Sequence, residues 1–241
     1  LEESQADRGQ IEAVLTASLY DDFSRLYRFG NVQQRKFMDF YFIHYEAAVL
    51  KNCLRRAYSG IPGDLALLSF QDFFEQHSSL DIVRLNNSLT LEDFLQAISG
   101  SIFYPVLQQA YQSGSASLPD YESLFDQFYF CTLWKEKNKL LKGIDQAVVT
   151  TTVGSRIDLL NIRWIYRSKK YYHMSNEMIY SMLIPCYYKL HPAQIKEMVE
   201  TNTVVELIPL LHTTYYGRRY GEELDDVHSM GLLYAKLVEQ F

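Results

Sequence analysis

The residues best suited to chemistry in this sequence are carboxylates and cations set at helical spacings. The run Glu222-Glu223-Leu224-Asp225-Asp226, followed by His228, gathers ligand types that suit a divalent cation. Such an ion needs oxygens converging from several elements, whereas adjacent acids at a helix start ordinarily complement its dipole. The dipole role is the expectation, and no metal site is assigned. Tyr20-Asp21-Asp22-Phe23 offers two acids but lacks the second acidic motif that a prenyl-diphosphate enzyme needs. Neither GxGxxG nor GxxxxGK[ST] occurs, HExxH is absent, and no local signature marks a Ser, Cys or His nucleophile. No catalytic residue, cofactor or metal is expected.

Two other sets carry more information. Within Gly154 to Tyr172, GSRIDLLNIRWIYRSKKYY, the cations Arg163, Arg167 and Lys170 recur at i, i+4 and i+7 and form one basic ridge on a helix. Lys51 and Arg55 repeat the i, i+4 spacing. The ridge reads as a partner-contact surface, set against a solvated helix face or internal pairing with the chain's own acids. Interleaved Trp164, Tyr166, Tyr171 and Tyr172 also bring nucleic acid to mind. A net charge of −6 and the lack of a second basic run argue against it. The other set is acidic. Glu46 sits in a stretch apolar on nearly every side, Phe37 to Ile43 and Ala47 to Leu50 with Asp39 the exception, which reads as a helix buried all round. A buried carboxylate must find a partner or take up a proton. Asp158 cannot use Arg167 of its own helix, because nine residues place the two on opposite faces. Glu46 and Asp158 are therefore expected to be buried structural acids, each paired with an Arg, Lys or backbone N–H from another helix.

The elements that must position these residues are helices. Apolar residues recur at helical period over roughly 9–28, 33–57, 66–76, 90–99, 103–112, 120–142, 145–172, 176–189, 193–201, 203–213 and 222–241. Thr90 with Asp93 makes a capping-box-like start and Ser175 a plain cap. Pro105, Pro119 and Pro192 suit first turns, while Pro209 falls inside a helical pattern and should kink it. Ser113 to Ser117 is the clearest linker, and Gly60-Ile61-Pro62-Gly63 is a second break. Glycine (11) and proline (6) are too scarce for a turn-rich β fold. The fold class is all-α. Cys53, Cys131 and Cys186 have no ligand spacing and read as buried thiols in a reducing compartment. The amino end is polar, and Phe37 to Leu50 is too short and too polar to span a bilayer. A soluble chain is expected, with no direct bilayer insertion.

An internal repeat runs through the sequence. Glu46 falls on Asp158, Leu50 on Ile162, Lys51 on Arg163 and Arg55 on Arg167 at one offset (158 − 46 = 112). After one inserted residue (206 − 93 = 113), Asp93 meets Glu206, Phe94 meets Leu207, Leu95 meets Ile208, Ile98 meets Leu211 and Phe103 meets Tyr216. The segment from Tyr121 to Phe128 likewise lies over Tyr234 to Phe241. Val14, Leu15 and Tyr20 match Leu210, Leu211 and Tyr216, as though the chain opens in the last helices of an earlier copy. The expected organisation is a remnant of a preceding repeat over 1–32, one helical bundle over 33–143 and a second over 144–241.

At Ile157-Asp158-Leu-Leu-Asn161-Ile162-Arg163-Trp-Ile-Tyr-Arg167-Ser-Lys169, an acid, then Asn, then Arg and Lys on one long helix, the sequence resembles the C subunit family of V-type and archaeal-type rotary ATPases, called subunit d in eukaryotes. Glu46 to Arg56 is a degenerate copy, and Leu210 to Tyr215 and Tyr234 to Phe241 add further matches. The resemblance covers essentially the whole chain. It implies three related helical bundles arranged as a funnel, in a non-catalytic subunit without cofactors. Its implied partners are the central-stalk subunits and the membrane rotor ring, which it joins on the cytoplasmic side of a complex that moves protons or sodium at the expense of ATP or makes ATP. Most of a first bundle and a third acid-and-Arg helix after Phe241 are missing from the pattern, so a trimmed chain is expected. A helical-repeat scaffold for other proteins is the alternative, and an RNA-binding module a more distant one.

Overall fold

A computed structural model describes residues 8–63 and 65–224. Among the described residues every regular element is helical and no strand occurs, so the fold is all-α. The chain divides into two compact units, Leu1–Leu118 and Pro119–Phe241.

The first unit carries α1 (Arg8–Phe29), α2 (Val32–Ser59), α3 (Leu65–Leu68), α4 (Gln71–His77), α5 (Ile82–Asn86), α6 (Leu91–Ala97) and α7 (Tyr104–Ser113). Helix α2 is its spine. Asn31 opens it through a capping box with Gln34, each side chain accepting the other's backbone N–H at 2.9 Å. Gly60 closes it in the left-handed region, at φ 63°, a conformation that costs glycine little. Its buried side runs from Phe42 to Ala57, but Tyr41 and Ala48 are exposed, so the helix is two-sided and not buried all round as the apolar stretch implied. Against that side pack the rings of Tyr20, Phe23, Phe73 and Phe74, with Tyr20 stacked on Phe73 at 4.2 Å and edge-on to Phe74 at 5.7 Å.

The second unit is also helical. Helix α8 (Leu118–Leu140) precedes the long α9 (Gly143–Arg167), which continues as a π-helical turn, Ser168–Tyr172; then come α10 (Asn176–Met182), α11 (Pro192–Glu200), α12 (Val204–Thr213) and α13 (Tyr215–Leu224). Leu159, Ile162 and Ile165 of α9 lie in a core with Ile179, Leu190, Ile195, Val199, Leu207 and Leu211. Thr203 caps α12 as Thr90 caps α6: each hydroxyl accepts the N–H three residues on, at 3.3 and 3.1 Å. Helix α12 runs through Pro209.

The described elements differ from the sequence reading in several places. The helix expected over 176–189 ends at Met182, because Pro185 has no N–H to give and the amides beyond it are taken by α9. The span 66–76 is broken into α3 and α4. Short α5 and α13 were not anticipated, and α13 bends at Tyr220, whose φ of −137° is non-helical. The helix expected over 222–241 lies outside the described residues beyond Leu224, as does the match of Tyr234 to Phe241.

Candidate functional site

Asp158 is fully buried on α9, yet it faces a segment with no regular structure. Its Oδ1 accepts the Tyr188 N–H at 3.2 Å, and its Oδ2 accepts the N–H groups of Lys189 at 2.7 Å and Leu190 at 3.0 Å and the Tyr216 hydroxyl at 2.9 Å. One turn on, Asn161 grips the start of the same loop. Its Nδ2 donates to the Ile184 carbonyl and its Oδ1 accepts the Ile184 N–H, both at 2.9 Å. Together the two side chains replace the backbone pairing that this loop lacks. Burial pushes the Asp158 carboxyl up in pKa, while its four donors pull it down.

Lys169 completes the grip. It is 8% exposed and donates to the Val199 carbonyl at 2.7 Å and to the Thr201 carbonyl, the unsatisfied acceptors at the end of α11. Burial lowers its pKa, opposed by nearby Glu206. Lys169 belongs to the acid–Asn–Arg–Lys motif, but the ridge reading passed over it for Lys170. The signal that could have found it is its place as the last member of that motif, eleven residues beyond Asp158.

In the first unit Glu46, which the sequence offset of 112 pairs with Asp158, lies on α2 and is also buried, at 9% exposure. Its partner is the Ser78 hydroxyl, with no cation or backbone N–H among the described residues. Burial raises its pKa, and the Ser78 bond opposes that shift.

The ridge residues fall into two groups. Arg163 and Arg167, both half-buried, lie near each other on α9. Burial and the neighbouring Arg167 and Arg156 lower the Arg163 pKa, and Asp126 opposes them. Arg167 donates to the Tyr172 hydroxyl at 3.0 Å. Lys170 lies in the π-helical turn, where a spacing of 3.6 no longer applies, and is exposed. It donates to the Tyr166 hydroxyl at 2.9 Å and sits 5.2 Å from the Tyr171 ring centroid. In the first unit Lys51 is half-buried, and exposed Arg55 donates to Asn52 at 3.1 Å.

Among the described residues no group of three or more His, Cys, Asp or Glu is placed to hold a metal ion, and no helix is long and apolar enough to cross a membrane. The side chains of the acidic run 222–226 and His228 lie outside the described residues. Of the polar side chains just located, Asp158, Asn161 and Lys169 tie the α9 rod to a loop and to the end of α11 within an all-helical protein. Residues 1–238 match the ATP synthase (C/AC39) subunit family, and the chain belongs to that family. It is accordingly a subunit of a rotary V-type ATPase. No curated protein matches the chain.

Proposed function

We propose that this chain is the non-catalytic subunit that couples the central stalk of its rotary ATPase to the membrane rotor ring, on the cytoplasmic face of the membrane. The family match over 1–238 is the observation that carries this reading. The structure adds a mechanical argument. A piece that passes torque must resist relative movement of its helices, and Asp158 and Asn161 of α9, with Lys169 of the π-helical turn that continues it, tie a loop and the end of α11 to one rod. The domain plan proposed with it is a remnant over 1–32 followed by two related bundles, 33–143 and 144–241. Lys51, Arg55, Arg163, Arg167 and Lys170 are proposed to meet acidic residues of the stalk foot or ring loops. Such contacts chiefly set orientation and association rate.

Coupling is tested by assembling the ATPase with and without the chain and following ATP hydrolysis and ion movement together. The expected result is hydrolysis that persists while ion movement is lost. Equal ion movement in both preparations would overturn the assignment. The ridge is tested separately by reversing Arg163 and Arg167 to Glu. A folded variant that binds stalk and ring at the wild-type rate in low salt would remove the ridge from the contact surface.

A further inference from the structure

Glu46 and Asp158 hold matching positions on α2 and α9, but their surroundings have diverged. Asp158 receives four donors. Glu46 receives one, from Ser78, and the residue matching Tyr216 is Phe103, fully buried and without a hydroxyl to give. Beside Glu46 the first unit instead opens a cleft of about 560 Å³, lined by Asp39, Phe42, His77, Ser78 and Ser101 among others. The Ser101 hydroxyl there is buried with no hydrogen-bond partner. No lysine or arginine lines the cleft. Burial lowers the pKa of His77, opposed by Asp39. Asp39 lies two turns before Glu46 on the same helix face, about 10 Å along the axis, and is exposed at the rim.

A carboxylate nine-tenths removed from water with one neutral donor is under-compensated. The second unit shows how this fold satisfies such an acid from within; the first leaves space beside it. We propose that this cleft binds an organic cation of the alkylammonium or alkylguanidinium class, its charged end on the Glu46 carboxylate and the Ser101 hydroxyl and its alkyl part against Phe42. Asp39 at the rim attracts the cation toward the opening. A free amine and a lysine or arginine side chain of a partner subunit present the same chemistry.

The test titrates the full chain with n-butylguanidinium at fixed ionic strength, by calorimetry and by amide NMR shifts, with n-butanol as the neutral counterpart. Saturable binding is expected, with shifts at residues 76–79 and 101–102. Affinity should fall about tenfold or more for n-butanol and for Glu46→Gln, because the charge-assisted hydrogen bond is lost, and less for Asp39→Asn. Asp39 is exposed, so its variant keeps the test alive should Glu46→Gln fold poorly. Repeating the titration in the assembled ATPase separates the sources: exclusion of the probe there assigns the cation to a partner's side chain, and undiminished binding assigns it to a free amine. Equal affinity for n-butanol, or binding unchanged in both Glu46→Gln and Asp39→Asn, overturns the proposal. That result would mean that Glu46 meets its burial by taking up a proton.

Discussion

Replacing Asp158 with alanine would leave three backbone N–H groups and one hydroxyl pointing into a space from which water is excluded. Each orphaned buried donor costs about 1–3 kcal/mol, but the four losses do not add, because the loop can open and hydrate them. Removing one partner of a buried, hydrogen-bonded charge costs about 3–5 kcal/mol, and that range is the expectation here. For a chain of this size it corresponds to a fall in Tm on the order of 10 °C. Asp158→Asn preserves shape and one acceptor but turns an NH2 group toward an N–H donor, so it should fall between wild type and alanine. Tyr216→Phe removes a single donor and should cost about 1 kcal/mol. The pH dependence adds a sign. Burial raises the Asp158 pKa above its ordinary 3.8, so the folded state holds the proton more tightly than the unfolded chain. Stability contributed by this group is therefore present below that value and is lost as pH rises through the raised one, and Asp158→Asn should flatten that slope. Thermal melts of the variants across pH, with hydrogen exchange at residues 188–190, make the measurement. An alanine variant with wild-type Tm and unchanged protection of those amides would refute the clamp.

Lys169→Met should destabilise the chain by about 2–4 kcal/mol, since it strips two carbonyls at the end of α11 of a charged donor, and exchange of the α11 amides should rise in step. Gly154→Ala should also destabilise, by about 1–3 kcal/mol, although alanine is the better helix former. Its Cβ would stand 2.5 Å from Tyr188 Cγ, and this overpacking outweighs a propensity gain of about 1 kcal/mol. Cys131 and Cys186 have their sulfurs 3.3 Å apart, and hydrogen peroxide should join them, two thiols giving one disulfide as the peroxide is reduced to two waters. Thiol titration should then find one free cysteine of three, and the Cys186→Ser variant should form no intramolecular bond.

The long helices were legible because their register is written in apolar spacing, and the Thr90 box and the break at Gly60 follow from residue type alone. The offset read from the sequence pairs Phe103 with Tyr216, and both rings are fully buried. What local sequence could not reveal is where tertiary partners override it. Residues 183–189 have helical spacing, but Asn161 takes both backbone groups of Ile184 and Asp158 takes the amides of 188–190, so the segment is held as a loop. Likewise the ridge drawn through Lys170 assumed an α-helix to Tyr172, and the π-helical turn exposes Lys170 while Lys169 goes inside. The divergence around Glu46 was hidden for the same reason. It depends on what faces that acid across space, not on the acid's neighbours in sequence.

Helix geometry also explains how one rod can both brace the unit and offer a surface. Measured around α9 from Asp158 at about 100° per residue, Asn161 lies about 60° away, whereas Arg163 and Arg167 fall about 140° and 180° away. Asp158 and Asn161 therefore share one side, and that side is buried. The two arginines stand on the other, half-buried among Tyr172, Arg156 and Asp126. Substitutions on the two sides should separate cleanly: clamp variants should change melting before binding, and arginine variants should change association rates with little change in melting. A single residue that moved both in proportion would show that brace and surface are one device and that the division drawn from the angles is wrong.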